Sequence, residues 1–129
     1  MSEVVLDASA LLALLLDEPG AAKVADIIAD ARISSANYAE VIRYFLHTGV
    51  AADEVDAIMC PLPLTIVETD DALTAIAERL RATTDEAGLT LDARSCLALA
   101  KRDGLPALTA DKHWRAIAAA AGVTVVIIT

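Results

Sequence analysis

The sequence predicts one α/β domain, a parallel sheet with helices on both faces, and three observations carry that prediction. Short apolar, β-branched runs alternate with longer stretches of helical composition, the order that yields a parallel sheet. The first such run, Val4-Val5-Leu6, is apolar throughout and stops at an acid, as a strand buried on both faces does. The 129 residues are 57% hydrophobic, enough for a core, and with only 3% aromatic that core must be built from Ala, Leu, Val and Ile. No stretch is long or polar enough to be a linker and no segment repeats, so residues 1–129 are expected to form a single domain.

Each element follows from local punctuation. After the first strand, residues 8–16 read as a helix with Asp7 as its natural N-cap, broken by Asp17-Glu18-Pro19-Gly20. Residues 21–30 are a second helix, apolar at Ala22, Val24, Ala25, Ile28 and Ala29. Residues 32–35 fit a short strand. Residues 37–47 are a helix stopped by Gly49, and 52–60 another closed by Pro61 and Pro63. Residues 64–67 read as a strand, and Asp70-Asp71 opens a helix to about residue 83. Residues 91–102 are helical, with Gly104 and Pro106 turning the chain. Residues 107–109 form a strand ending near Asp111. A further helix reaches residue 121, where Gly122 ends it, and 123–128 close the sheet.

Composition narrows the chemistry. The net charge of −9 argues against simple electrostatic binding of nucleic acid, and suits a basic partner or carboxylates kept for a metal. Seven of the ten Lys and Arg residues follow Glu78, so a basic rim inside an acidic whole is one arrangement the sequence allows. Cys60 and Cys96 are too few and too far apart for a disulfide framework or a zinc site; each is expected to be a small buried hydrophobe. The apolar run 8–16 is too short to span a bilayer and lacks the flanks of a signal peptide, so a cytoplasmic location is expected.

In open parallel sheets ligands bind beyond the carboxyl ends of the strands. Asp7 and Asp111 both stand there, each directly before a helix. Capping and metal ligation are both open to them. Other chemistries fit less well. Ser9 occupies the place where an aspartyl phosphatase wants a second Asp, and Glu68 with Lys112 only loosely imitates a phosphoacceptor site. There is no glycine-rich phosphate loop and no nucleophile elbow around Ser9. His47 and His113 read as isolated surface residues.

Three segments resemble a known family. VLDASALLALLLDEPG (residues 5–20), ISSANYAEVIRYF (33–45) and GLTLDARSCLALAKRDGLPALTADKHW (88–114) look, in order and spacing, like the PIN domain, and most like the toxin ribonucleases of VapBC toxin–antitoxin pairs. The resemblance implies a three-layer α/β/α sandwich and an Mg²⁺- or Mn²⁺-dependent endoribonuclease. It also implies an antitoxin partner and a homodimer. It maps the metal-binding and catalytic acids onto Asp7, Glu40, Asp92 and Asp111, with Ser9 and Thr109 as supporting hydroxyls. Two of these sit awkwardly. On a helical wheel Glu40 falls away from the apolar face of Tyr38, Val41, Ile42 and Phe45, where it would pair with Arg43 at i+3. Asp92 stands one residue before the family position, which Ala93 occupies, and one residue turns a helical side chain by about 100°. As a cap, Asp92 would leave the metal weakly held, with Asp85 and Glu86 poorly placed to compensate. That shift is the support for the alternative implied function, a PIN-like protein-binding module with a weakened site.

Overall fold

The computed structural model describes residues 3–84 and 88–129; Asp85 and Glu86 lie outside the described residues. Five parallel strands form one sheet in the order β3-β2-β1-β4-β5. They are β1 (Val4–Leu6), β2 (Ala31–Ser34), β3 (Thr65–Val67), β4 (Ala107–Thr109) and β5 (Val125–Ile127). The helices between them are α1 (Ala8–Leu15), α2 (Ala21–Ile27), α3 (Ser35–His47), α4 (Ala52–Met59), α5 (Asp71–Arg79), α6 (Arg81–Thr84), α7 (Leu91–Asp103) and α8 (Ala118–Ala121).

Alternation along the central strands assigns the layers, because successive strand residues face opposite sides of a sheet. Val5 and Ala107 pack with Leu73 and Ala77 of α5 and residues 96–100 of α7. Val4, Leu6 and Leu108 pack on the other face with Ala10 and Ala13 of α1 and Val24 of α2. A third cluster joins Leu11 of α1 to Val41 and Phe45 of α3 and Val55 and Met59 of α4 over Ile33. The architecture is the predicted α/β/α sandwich, and its core is aliphatic apart from Trp114 and Phe45.

Several expected boundaries change for local reasons. Ser34 is the N-cap of α3, its side chain accepting from Asn37 N at 3.1 Å, so the strand ends before Ser35 and the helix starts there. The helix from Asp70 is divided near Leu80 into α5 and α6. The chain after Asp111 first makes a 3₁₀ turn, Lys112–Ala116, and only then the short α8. Cys96 is buried as expected, but Cys60, in the C-cap position of α4, is exposed. Among the described residues no helix is long and apolar enough to cross a membrane.

The strand order fixes where a site can form. The chain winds from β1 outward to β2 and β3, then returns to lay β4 on the other side of β1. The crevice at such a reversal, beyond the carboxyl ends of β1 and β4, is left uncovered by crossing helices. Leu6 pairs with Leu108, and the Asp7 amide donates to the Leu108 carbonyl at 3.1 Å. The residues that leave these two strands therefore emerge side by side.

Candidate active site

A cavity of about 210 Å³ opens at that crevice, and its wall includes Asp7, Ser9, Asn37, Glu40, Thr90, Ala93, Asp111 and Trp114. Three of the four predicted acids meet there, each delivered by a different element. Asp7 leaves β1, Asp111 follows β4, and Glu40 projects from α3, which begins directly after β2.

Asp7 is 6% exposed, and its carboxylate is surrounded by donors. The Ser9 hydroxyl reaches both oxygens, at 2.7 and 2.9 Å. The Ala10 amide donates to Oδ1 at 2.8 Å, and the Thr109 hydroxyl to Oδ2 at 2.6 Å. Asp7 is thus the N-cap of α1 and a cavity residue at once; the two roles are compatible because a cap needs only one oxygen. Burial pushes its carboxyl above the ordinary range, the hydrogen bonds from Thr109, Ala10 and Ser9 oppose the rise, and the charge of Asp111 adds to it. Ser9 and Thr109 do more than touch Asp7. Ser9 Oγ accepts from the Ala110 amide at 2.9 Å, and Thr109 Oγ1 from the Asp111 amide at 3.0 Å. Two hydroxyls thereby tie the end of β1 to the loop that carries Asp111.

Glu40 reaches the cavity despite its place on the helical wheel. Its expected partner Arg43 is engaged elsewhere, donating from Nη2 to Asp92 Oδ2 of α7 at 2.9 Å. Burial raises the Glu40 carboxyl, and the negative charges of Asp92 and Asp7 add to the rise; Asn37 and Arg43 pull the other way. The thiol of Cys96, buried beneath, is pushed well up by burial and by the same two carboxylates, Asp7 and Glu40.

Asp92 is the acid that the structure does not bring to the cavity wall. Thr90, not Asp92, is the N-cap of α7, its hydroxyl accepting from the Ala93 amide at 3.1 Å. Asp92 lies in the first turn with its carboxylate on Arg43, while Ala93 lines the cavity. The turn of about 100° between adjacent helical residues separates them. Asp92 acts on the site at a distance, through its charge on Glu40 and through its carbonyl, which accepts from Asn37 Nδ2 at 2.8 Å.

Sequence reasoning missed Asn37 and Trp114. Asn37 had a legible signal: with Val41 and Phe45 it completes the buried i, i+4, i+8 stripe of α3, and a polar residue in such a stripe needs partners. It has them in Ser34 and Asp92. Trp114, 1% exposed, follows the Asp111 turn and closes the cavity from the α7 side. The cluster of late cations does not form a rim here. No Lys or Arg is among the described residues of the cavity wall, and Lys101 and Arg102 are spent on the Ala121 carbonyl and Asp103.

The donor set fits a hard divalent cation. Three carboxylates share one small cavity, and two of them, Asp7 and Glu40, are disfavoured as anions first by burial and then by neighbouring carboxylates, Asp111 for Asp7 and Asp92 and Asp7 for Glu40. Among the described residues no three His, Cys, Asp or Glu side chains stand close enough together to hold an ion between them; a hard cation such as Mg²⁺ needs only one or two carboxylates, with waters completing its shell.

The chain belongs to the PIN domain family, whose model it matches over residues 4–120. No curated protein matches it in sequence at a significant level. In three dimensions it is similar to DNA-bound VapBC from Salmonella typhimurium, with a TM-score of 0.76 at 16% identity and all of both chains covered. It is also similar to a toxin–antitoxin complex from Klebsiella pneumoniae, at 0.72 and 19% over 98% of each chain. A third likeness is to VapC20 of Mycobacterium tuberculosis, a sarcin-ricin loop cleaving toxin, at 0.70 and 16% over 88% of this chain and 94% of that one.

Proposed function

We propose that this protein is a metal-dependent endoribonuclease, the toxin of a toxin–antitoxin pair, taking up Mg²⁺ or Mn²⁺ in the cavity that Asp7, Glu40 and Asp111 line. The observation that carries the reading is the convergence of these three carboxylates, from three elements, on one cavity at the reversal point of a parallel sheet. Family membership and the toxin–antitoxin complexes among its structural neighbours support the biological role.

When bound, such a cation supplies charge neutralisation at a phosphodiester and activation of a water for in-line attack. The chain's own residues prepare for it. Ser9, Thr109 and the Ala10 amide fix the Asp7 carboxylate before any ligand arrives, so little reorganisation is left to the reaction. Glu40, a half-buried acid with a raised proton affinity, would take the proton released as water adds to phosphorus. The bond from phosphorus to the departing ribose oxygen would break in the same displacement, that oxygen taking its proton from solvent water. Ser9 and Thr109 are supporting groups, not nucleophiles, because both hydroxyls are committed to Asp7. Asp92 contributes charge and helix placement in this reading. An antitoxin with a basic tail suits the charge of −9, and the homodimer rests on family resemblance alone.

The test is cleavage of RNA by the purified protein with Mn²⁺, with and without EDTA. Metal-independent cleavage, or full activity in Asp7→Ala, would sink the proposal. One observation favours a second reading, a binding module with a weakened site: Ala93, not an acid, stands on the cavity wall. Absence of any Mn²⁺-dependent thermal stabilisation would favour that module.

A further inference from the structure

We propose that His113 is a positioning residue that sets which oxygen of Asp111 is offered to the cation; this rests on reading the cavity as a metal site. Asp111 precedes the 3₁₀ turn Lys112–Ala116 and caps it, its Oδ1 accepting from the His113 backbone N–H at 2.9 Å. The His113 ring folds back onto the same atom, Nδ1 to Oδ1, also at 2.9 Å. An ionised carboxylate can only accept, so Nδ1 carries the hydrogen in either charge state of the ring. Two donors from one residue thus converge on Oδ1, and among the described residues no donor reaches Oδ2. The carboxylate is held like a vane with one oxygen pinned and the other left for a ligand. A bare backbone cap would hold that oxygen by one bond instead of two. Groups that orient a ligating carboxylate in this way are worth about tenfold or more in metal affinity.

The geometry also separates this role from folding. The His113 side chain is 86% exposed and packs into no core cluster. Its loss should leave the metal-free protein as stable as before. The two ring nitrogens can be tested apart, since Asn places its amide nitrogen near Nδ1 and Gln places its own near Nε2.

Mn²⁺ binding is measured by the loss of the free-ion electron paramagnetic resonance signal, with thermal midpoints in EDTA as the folding control. We expect His113→Ala and His113→Gln to weaken Mn²⁺ binding about tenfold, and His113→Asn to stay within about twofold of the parent, all at unchanged midpoint in EDTA. An unchanged affinity in His113→Ala overturns the proposal. So does rescue by Gln and not by Asn, which would place Nε2 directly on the cation. No Mn²⁺ binding by the parent overturns the metal reading itself, a result distinct from the other two.

Discussion

Replacing Thr109 with Val tests whether the cavity is built to hold an ionised Asp7. Thr109 is fully buried, and its hydroxyl donates to Asp7 Oδ2 at 2.6 Å while accepting from the Asp111 amide at 3.0 Å. Val keeps the shape and removes both bonds. A hydrogen bond to a charged group contributes about 1.5–3 kcal/mol, and a buried donor left unpaired costs about 1–3 kcal/mol. With some relaxation at the cavity edge, we expect a loss of about 2–3 kcal/mol at neutral pH, or roughly 6–15 °C in Tm for a domain of this length. The loss should depend on pH. The folded Asp7 carboxyl already lies above its ordinary value of 3.8, so the folded state disfavours the anion, and this cost appears as pH rises from that value through the raised one. Removing the Thr109 bond raises the folded value further. The deficit of Thr109→Val should therefore be largest at neutral pH and shrink towards about 1 kcal/mol at acid pH, once the pH falls below the raised folded value, Asp7 takes up its proton and only a neutral bond is lost. Urea denaturation in EDTA at the two pH values measures it, with Thr109→Ser, which keeps the hydroxyl, as control. A variant within about 0.5 kcal/mol of the parent at neutral pH, or a deficit that grows on acidification, would refute the reasoning.

Further expectations follow from the same geometry. Glu40→Gln should stabilise the protein in EDTA at neutral pH, because the raised Glu40 carboxyl costs stability as pH rises from the ordinary carboxylate range through the folded value; thermal midpoints across that range should be flatter in the variant, and its gain on adding Mn²⁺ smaller. Ala93→Asp adds an acid to the cavity wall and should tighten Mn²⁺ binding at some cost in metal-free stability, whereas Asp92→Asn should leave the affinity within about twofold, since its carboxylate belongs to Arg43; calorimetric titration distinguishes them. Gly20→Ala should cost about 2–5 kcal/mol, from a left-handed φ of 97° and a Cβ that would lie 2.9 Å from the Ile128 carbonyl oxygen; a denaturation midpoint close to the parent's would contradict that.

The acids at strand ends and the helix signals are local, and the sequence by itself determined them. Asp7 follows a run of three apolar residues and caps the helix that starts one residue later; Asp70 caps α5 by accepting from Leu73 N at 2.9 Å; Gly104 and Gly122 end helices in the left-handed region. Each rests on chemistry within four residues, so each is legible in order along the chain. Alternating strands and helices then made the parallel sheet, and its carboxyl edge made Asp7 and Asp111 neighbours in expectation before they were neighbours in space.

The tertiary structure alone decided what lies between layers. A helical wheel sorts residues into core and solvent, and Glu40 was neither: it faces a cavity that exists only because α7 crosses near the start of α3. The same crossing gave Arg43 to Asp92 rather than to Glu40, and a rotation of one residue at the start of α7 put Ala93 where a fourth acid would have completed the wall. Pairing across 49 residues carries no periodic signature, because its cost and reward are set by the packing of two helices and not by either sequence. The chain thus spelled out the two acids at its strand ends; whether Glu40 joined them and Asp92 did not was settled by where the helices came to rest.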